Sequence, residues 1–390
     1  MIAHQFAHAV EIVTTLLTLA GMGYFLVSML AARIYLYSRG KQAANFAPKV
    51  SVLKSLKGLD PEMMAAFRSQ CIQNYAGDFE VLFGVSSLQD PAVAAVEQLK
   101  AEFPAVAIRL VECQERLGTN GKVSTLVQLA EHARFDYLLI NDSDITVSPR
   151  YLERVMGCFS ESQGNENAAV GLVTALYRGR AHETLFSRFE AMGIAADFMA
   201  GLLVSKIIEG GLHYGLGSTL AVSREALEKS GGLMPLVNYL ADDYELGARI
   251  ARAGYRVALS AEVVETGIPA YDWKGFVDHQ LRWARTVRDA RPGGYAGLLV
   301  THGFGLALLN LIASGVSPLS LWLLGLSFFL RLSQAMMVGA EVLGDHQVLV
   351  NLWLLPLRDV VAMGLWAAGL TGNTIVWRGE RFVLKDGKLG

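Results

Sequence analysis

The sequence has 390 residues, of which 52% are apolar and 18% are charged, and its formal net charge is −2. Soluble chains average about 25% charged residues, so this composition indicates either a very large core or segments that lie in lipid. The near-neutral balance excludes a broad basic field, and no nucleic-acid partner is expected. The three cysteines are isolated in the sequence and lack zinc-ligand spacing, so we expect reduced, buried thiols.

The first predicted element is an uncharged apolar run, Ile12–Ala32, which is long enough to cross a bilayer about 30 Å thick. Arg33, Arg39 and Lys41 follow this run, and no Lys or Arg precedes it. The positive-inside rule therefore places the following domain in the cytosol. A cleaved signal peptide fits poorly, because its basic residues would precede the apolar run. Residues 1–33 are predicted to be a transmembrane anchor.

Residues 45–290 are predicted to form an α/β domain, because short apolar strands alternate there with amphipathic helices. This order is typical of a Rossmann-like, mostly parallel sheet, in which ligands bind beyond the carboxyl ends of the strands. Helices are expected to begin at Asp60-Pro61 and at Asp90-Pro91. The predicted strands are Val50–Leu56, Phe79–Val85, Ala107–Val111, Phe135–Ile140 and Ala168–Leu176.

A long helical stretch, Thr184–Ile208, interrupts the later half of this domain. Two explanations for its apolar character remain open. The segment dips into the bilayer, or it is a buried core helix.

Residues 294–376 contain three further apolar stretches, which are predicted to be transmembrane or interfacial helices: Gly294–Ser314, Pro318–Val338 and Val348–Val376. Three full crossings would leave the C-terminus outside, yet the basic tail, residues 377–390, favours the inside. One stretch is therefore expected to be re-entrant or interfacial, and the glycine-rich Gly294–Ser314 is the weakest span.

Three charges, Arg331, Arg358 and Asp359, fall within these apolar stretches. Charges at that depth are costly unless they are paired or face a cavity. An Arg358–Asp359 pair or snorkelling would explain them, and so would contact with a polar lipid group. The sequence leaves both explanations open.

Asp142-Ser143-Asp144 directly follows the most apolar predicted strand. Two adjacent carboxylates repel each other, and a hard divalent cation relieves that repulsion. We expect Mg²⁺ or Mn²⁺ at Asp142 and Asp144, where the metal can bridge to a diphosphate.

Asp242, Asp243 and Glu245 place three carboxylates at the start of a helix that is predicted to run to about Ala253. Helix capping would need only one of them. A carboxylate that is crowded by neighbours and desolvated has a raised pKa, which suits a general base.

His279-Gln280-Leu281-Arg282-Trp283 precedes Arg285 and Arg288, and the arginines are spaced to share one helical face. A basic helix of this kind can touch anionic lipid headgroups. The same side chains could instead hold a diphosphate and cap a sugar pocket. Composition does not distinguish these roles.

The order of these motifs, from Asp90 through Asp142-Ser143-Asp144 and Asp242-Asp243 to His279-Gln280-x-Arg282-Trp283, resembles the processive-type inverting glycosyltransferases. More narrowly, the chain resembles the ceramide glucosyltransferase family (GT-A fold, family 21), and it is most similar to the bacterial hopanoid-associated branch. The resemblance runs from about residue 10 to the tail. The stretches that carry it are residues 50–54, 83–85 with 90–92, 120–124, 172–180, 239–244 and 279–288.

The resemblance implies a role for each matched position. Asp90 would contact the uracil or ribose, Lys122 would lie near the nucleotide, and Asp142 and Asp144 would bind metal and diphosphate. Asp243 would be the catalytic base. The residues implied at the diphosphate and acceptor are Asp242, His279, Gln280, Arg282 and Trp283. The chain departs from the general pattern at position 279, where Gln or Arg is usual, and at position 242, where Glu is common.

The implied activity is transfer of a sugar, GlcNAc by resemblance to the hopanoid branch, from a UDP-sugar donor to a lipid hydroxyl such as that of bacteriohopanetetrol. Glucose transfer to ceramide is the alternative, and a processive polysaccharide synthase or a non-catalytic membrane scaffold is less favoured. The implied location is the bacterial inner membrane, with several spans and a cytosolic catalytic domain.

Overall fold

The computed structural model describes residues 2–39, 46–60, 62–162, 169–377 and 380–390. The predicted features at Lys41, Pro61 and Ala168 lie outside these residues. The chain divides into two compact units, which differ from the predicted domain boundaries. The α/β unit comprises residues 38–180, 208–267 and 387–390, and the helical unit comprises residues 1–37, 181–207 and 268–386.

The α/β unit contains an eight-stranded sheet. Its strands are β1 (Val50–Ser55), β2 (Phe79–Val85), β3 (Ala107–Glu112), β4 (Tyr137–Ile140), β5 (Ile145–Thr146), β6 (Val170–Arg180), β7 (Leu220–Ser223) and β8 (Arg256–Gly267). They lie in the order β3-β2-β1-β4-β7-β6-β8-β5. Strands β1 to β4 pair in parallel, as do β6 and β8, whereas β7 and the short β5 run antiparallel to their neighbours. The predicted mostly parallel α/β fold is therefore confirmed.

The central strands β1, β2 and β4 are buried along nearly their whole length. Interior strands of a parallel sheet are covered on both faces, which explains why apolar residues predominate in them, although Ser51, Lys54 and Glu80 are buried there as well. The helices of this unit are Met63–Cys71, Ala92–Glu102, Gly121–His132, Tyr151–Gly157, Arg224–Lys229 and Asp242–Arg252. The helix that was predicted to begin at Asp60-Pro61 begins at Met63. Its N-cap position is Glu62, whose side chain makes no capping hydrogen bond.

The helical unit contains segments that are long and apolar enough to cross a membrane. By length and composition, five such helices occur among the described residues: Ala7–Arg39, Leu185–Ile208, Pro292–Ala313, Pro318–Val342 and Gln347–Gly369. The helix bounds are Ile2–Arg39, Leu185–Gly193, Met199–Ile208, Trp273–Ala290, Pro292–Gly297, Gly303–Ala313, Pro318–Ala335, Gln347–Asn351 and Leu355–Gly369, with π-helical turns at Ile194–Phe198 and Met336–Val342.

The last predicted apolar stretch was too long at its C-terminal end. The helix ends at Gly369, and Thr374–Trp377 (β9) pairs antiparallel with Glu380–Lys385 (β10). The basic tail thus contributes to a hairpin, and a short strand, Lys388–Leu389 (β11), follows it in the α/β unit. Positive φ angles at Gly372 and Gly387 permit the tight turns in this region.

The charges inside the apolar stretches form an ionic cluster within the helical unit. Arg331 is buried and donates to both carboxylate oxygens of Asp359, each at 2.7 Å, and to Asp197 at 2.6 Å. Arg358 pairs with Asp197 and lies 3.5 Å from Asp359. Two arginines and two aspartates neutralise one another, so pairing within the protein accounts for these charges.

Candidate active site

Four aspartates and a lysine from separate parts of the sequence meet at the carboxyl end of β4. Asp142 lies two residues beyond this strand, Lys122 lies in the first turn of helix Gly121–His132, and Asp242 begins helix Asp242–Arg252. The Lys122 ammonium lies 2.8 Å from an Asp142 oxygen and 3.3 Å from an Asp242 oxygen. Burial opposes the positive charge, but these two carboxylates outweigh it and raise the pKa of Lys122 above its usual value. Lys122 therefore joins two of the predicted motifs.

Asp243 is held by two backbone amides. The amide of Gly217 donates to one carboxylate oxygen at 2.7 Å, and the amide of Tyr244 donates to the other at 2.8 Å. Burial, followed by the charge of Asp242, raises the pKa of Asp243 to about 6, although Lys122 and the two amides act in the opposite direction. A carboxylate with this pKa is ionised at neutral pH and is basic enough to accept a proton.

Gly217 is a site residue to which sequence reasoning gave no role. A Cβ atom placed there would lie 3.3 Å from an oxygen of Asp142 and 3.3 Å from an oxygen of Asp243. Both carboxylates therefore approach the same backbone position, which has no side chain to separate them. The glycine-rich stretch Gly215-Leu216-Gly217 was the available signal.

Lys54 is a second such residue, and it lies fully buried in β1. Its ammonium donates to the backbone carbonyl of Asp142 at 2.8 Å. Burial lowers the pKa of Lys54 to about 8, although the charges of Asp144 and Asp142 act against this shift. A lysine inside the predicted strand Val50–Leu56 was the signal in the sequence.

Asp144 accepts a hydrogen bond from the Thr266 hydroxyl. Burial and the nearby charge of Asp142 raise the pKa of the Asp144 carboxyl group. This crowding of two hard oxygen ligands fits a divalent cation. Among the described residues, no three His, Cys, Asp or Glu side chains converge to hold a metal by themselves. Asp142 and Asp144 would thus be two of several ligands to such a cation, and a diphosphate is a group that would supply further oxygens.

Asp90 lies at the loop after β2, and its carboxylate binds backbone amides. It accepts from Gly58 at 3.0 Å and from Ala92 at 2.8 Å. The second bond lies at the start of helix Ala92–Glu102, whose N-cap position is Pro91. Asp90 therefore ties the loop after β1 to the loop after β2, and its contact with a nucleotide stays a prediction.

His279, Gln280, Arg282 and Trp283 all lie on helix Trp273–Ala290 in the helical unit. The rings of His279 and Trp283 are 5.4 Å apart, and Phe198 lies 5.4 Å from Trp283. The Nδ1 atom of His279 lies 3.1 Å from a carboxylate oxygen of Glu190, a residue that sequence reasoning did not single out. Phe198 and Glu190 thus contact the predicted motif from the Leu185–Ile208 segment.

Arg285 and Arg288, on the same helix, bind backbone carbonyls within the helical unit. Arg288 donates to Gly369 at 2.7 Å, and Arg285 donates to Thr371 at 3.2 Å. Gly369 is the last residue of helix Leu355–Gly369, and its carbonyl has no intrahelical partner, whereas Thr371 lies two residues beyond the helix. The two arginines thus support the helix end, whereas the basic pattern had suggested lipid headgroups or a diphosphate as their partners.

The sequence matches a known family along nearly its whole length. The model of glycosyl transferase family 21 covers residues 13–389. The chain belongs to this family. Two ceramide glucosyltransferases of Caenorhabditis elegans are similar to it. Ceramide glucosyltransferase 3 is 24% identical to this chain over 96% of this chain and 82% of its own length. Ceramide glucosyltransferase 1 is 23% identical over 87% of this chain and 72% of its own length.

A solved structure shares the fold of this family 21 glycosyltransferase. It is a mannosyltransferase from Pyrobaculum calidifontis in complex with GDP-Man and Mn²⁺. The match has a TM-score of 0.54 at 20% identity and covers 93% of this chain and 97% of the other. The GT-A-like assignment of the α/β sheet is confirmed, and the family membership makes the chain a glycosyltransferase.

Proposed function

We propose that this enzyme transfers a sugar from a UDP-sugar to a hydroxyl group of a membrane lipid, with inversion at the anomeric carbon. The observation that carries the proposal is the Asp243 carboxylate, which two amides hold beside Lys122, Asp142 and Asp242. This arrangement supplies a base next to groups that suit a diphosphate. The five apolar helices fit an acceptor that resides in a bilayer.

The donor is proposed to bind at the carboxyl end of β4. Lys122 offers an ammonium to the diphosphate, and Asp90 contacts the uracil or ribose. A divalent cation held by Asp142 and Asp144 would supply positive charge against the leaving group. The mannosyltransferase that shares this fold was solved with GDP-Man and Mn²⁺, which supports a nucleotide sugar and a divalent cation here.

Asp243 is proposed to take the proton from the lipid hydroxyl. The hydroxyl oxygen then forms a bond to the anomeric carbon while the bond from that carbon to the diphosphate breaks on the opposite face. UDP leaves with the electron pair, and the proton stays on Asp243 until it is lost to water. Arg282 and Trp283, by resemblance to the family pattern, would hold the diphosphate and the acceptor, together with Asp242, His279 and Gln280.

Two acceptors are candidates. Resemblance to the hopanoid-associated branch favours GlcNAc transfer to bacteriohopanetetrol. The relatives named ceramide glucosyltransferase favour glucose transfer to ceramide to a similar degree. In either case we propose that the protein lies in a bacterial inner membrane with the α/β unit facing the cytosol.

The test uses purified protein in detergent with Mg²⁺ or Mn²⁺. UDP-GlcNAc and UDP-glucose are each offered with bacteriohopanetetrol or ceramide, and products are identified by mass spectrometry. A hexosamine adduct of the hopanoid supports the first acceptor, and hexosyl-ceramide supports the second. Absence of product with every pair would contradict the proposed function and favour the non-catalytic scaffold.

A further inference from the structure

Glu190 is a buried carboxylate for which the proposed reaction has no role. It lies on helix Leu185–Gly193, and its side chain is only 5% exposed. Its Oε2 atom lies 3.1 Å from Nδ1 of His279, within ion-pair distance but not aligned for a hydrogen bond, and neither atom has a hydrogen-bond partner in the described part of the chain. Burial of a carboxylate without a partner is unfavourable in free energy, so His279 is the side chain that stabilises Glu190.

Aromatic packing holds the two helices that carry this pair. Phe186 and Phe189 lie 5.7 and 6.2 Å from the ring of Phe276, which is on the same helix as His279. The imidazole itself is flanked by Tyr271 and Trp283, each with its ring 5.4 Å away. Two aromatic rings thus lie beside the imidazole of His279, and Glu190 contacts one of its two nitrogens.

The position of the pair along the chain indicates the depth at which it lies. Glu190 is near the start of Leu185–Ile208, one of the helices long and apolar enough to cross a membrane. Helix Trp273–Ala290, which carries His279, is amphipathic and is not among those helices. A pair that joins the start of an apolar span to an amphipathic helix belongs at the headgroup level, where the polar groups of a lipid acceptor lie.

We propose that Glu190 is a positioning residue: its carboxylate, beside Nδ1 of His279, holds the imidazole with Nε2 directed at the polar headgroup of the lipid acceptor. The proposal rests on the function proposed above. The family pattern usually has Gln or Arg at position 279. Those side chains carry several polar atoms, so they need no partner residue to determine which atom faces the acceptor. A histidine has two distinct ring nitrogens, and a carboxylate bound to one decides the role of the other.

The test is a double-mutant cycle on the transfer reaction. Glu190→Gln keeps the shape of the side chain and removes its charge. We expect it to lower kcat/KM for the lipid acceptor about tenfold, through both kcat and acceptor KM, with the UDP-sugar KM unchanged. In a His279→Gln background, Glu190→Gln should have no further effect, because the residue acts through the imidazole. The exposed Glu183→Gln is the matched control and should leave all constants unchanged.

If the losses in kcat/KM multiply in the double variant, or if only the KM for the UDP-sugar rises, the positioning role of Glu190 is contradicted. Glu190→Asp, which keeps the charge but withdraws the carboxylate by one methylene, guards against misfolding and should give an intermediate loss. If the unmodified enzyme transfers no sugar, the proposed function fails separately. The interaction between Glu190 and His279 is then tested by Tm in detergent. Non-additive Tm losses for Glu190→Gln and His279→Gln support the interaction, and additive losses contradict it.

Discussion

The cluster at the end of β4 and the ionic cluster among the apolar helices contain similar side chains but differ in charge balance. The first brings four aspartates together with two lysines, Lys122 and Lys54. The second has two arginines and two aspartates, which pair with one another. The ionic cluster is neutral without any ligand, whereas the active-site cluster keeps an excess of negative charge. An unbalanced cluster can bind a cation, and a balanced one serves as a structural link.

The largest effect is expected for the base. Asp243→Asn keeps the size of the side chain and its acceptor oxygen for Gly217 but removes the proton-accepting carboxylate. We expect transfer to fall by about 10²–10⁴-fold, since general-base catalysis contributes about that much. UDP binding, measured by calorimetry, should be retained. Loss of UDP binding with loss of transfer would instead assign Asp243 to the donor site.

Disruption of the ionic cluster should lower the stability of the protein. Arg331→Met leaves the buried Asp359 without its bidentate partner, and we expect a loss of about 3–5 kcal/mol in the free energy of unfolding. Thermal unfolding in detergent gives the readout. The double variant Arg331→Met/Asp359→Leu should recover much of the loss, because Arg358 and Asp197 still neutralise each other.

A surface pair provides the control for this stability effect. Lys229→Met breaks the exposed pair with Glu225 and should leave Tm unchanged. An equal Tm loss in Lys229→Met and Arg331→Met would contradict the structural role of the ionic cluster.

Removal of divalent cations should affect only the active-site cluster. EDTA is expected to lower transfer by at least about 10²-fold, since charge stabilisation on the leaving diphosphate is worth several kcal/mol. Mg²⁺ or Mn²⁺ should restore it, and Tm should not change. An Asp144→Asn variant that is fully active and equally sensitive to EDTA would show that the metal binds elsewhere.

The smallest effect concerns pH. A base with a raised pKa must be ionised to act, so kcat/KM should rise with pH through about 6 and level off above it. Lys122 lowers the pKa of Asp243 by its charge, so Lys122→Met should move the rising part of the pH profile to higher pH. If the profile of the variant does not move, the charge of Lys122 does not act on the base.

Much of the site could be predicted because its residues occur in recognisable local contexts. Asp142 and Asp144 follow an apolar strand, and Asp242 and Asp243 begin a helix, which the structure retains at Asp242–Arg252. Lys54 and Gly217 received no role, because their significance depends on a carbonyl and two carboxylates that are distant in the sequence. Glu190 was missed for the same reason, since its partner lies 89 positions later, at His279.

The sequence by itself determined the apolar spans, the mostly parallel α/β fold and the acidic motifs, because hydrophobic periodicity and strand-end position are local properties. Only the tertiary structure decided which charges neutralise one another. It joined Arg331 to Asp359 and Asp197, placed Lys122 between Asp142 and Asp242, and paired Arg285 and Arg288 with backbone carbonyls. Electrostatic pairing depends on distances of a few ångströms between remote residues, and no spacing along the chain encodes those distances.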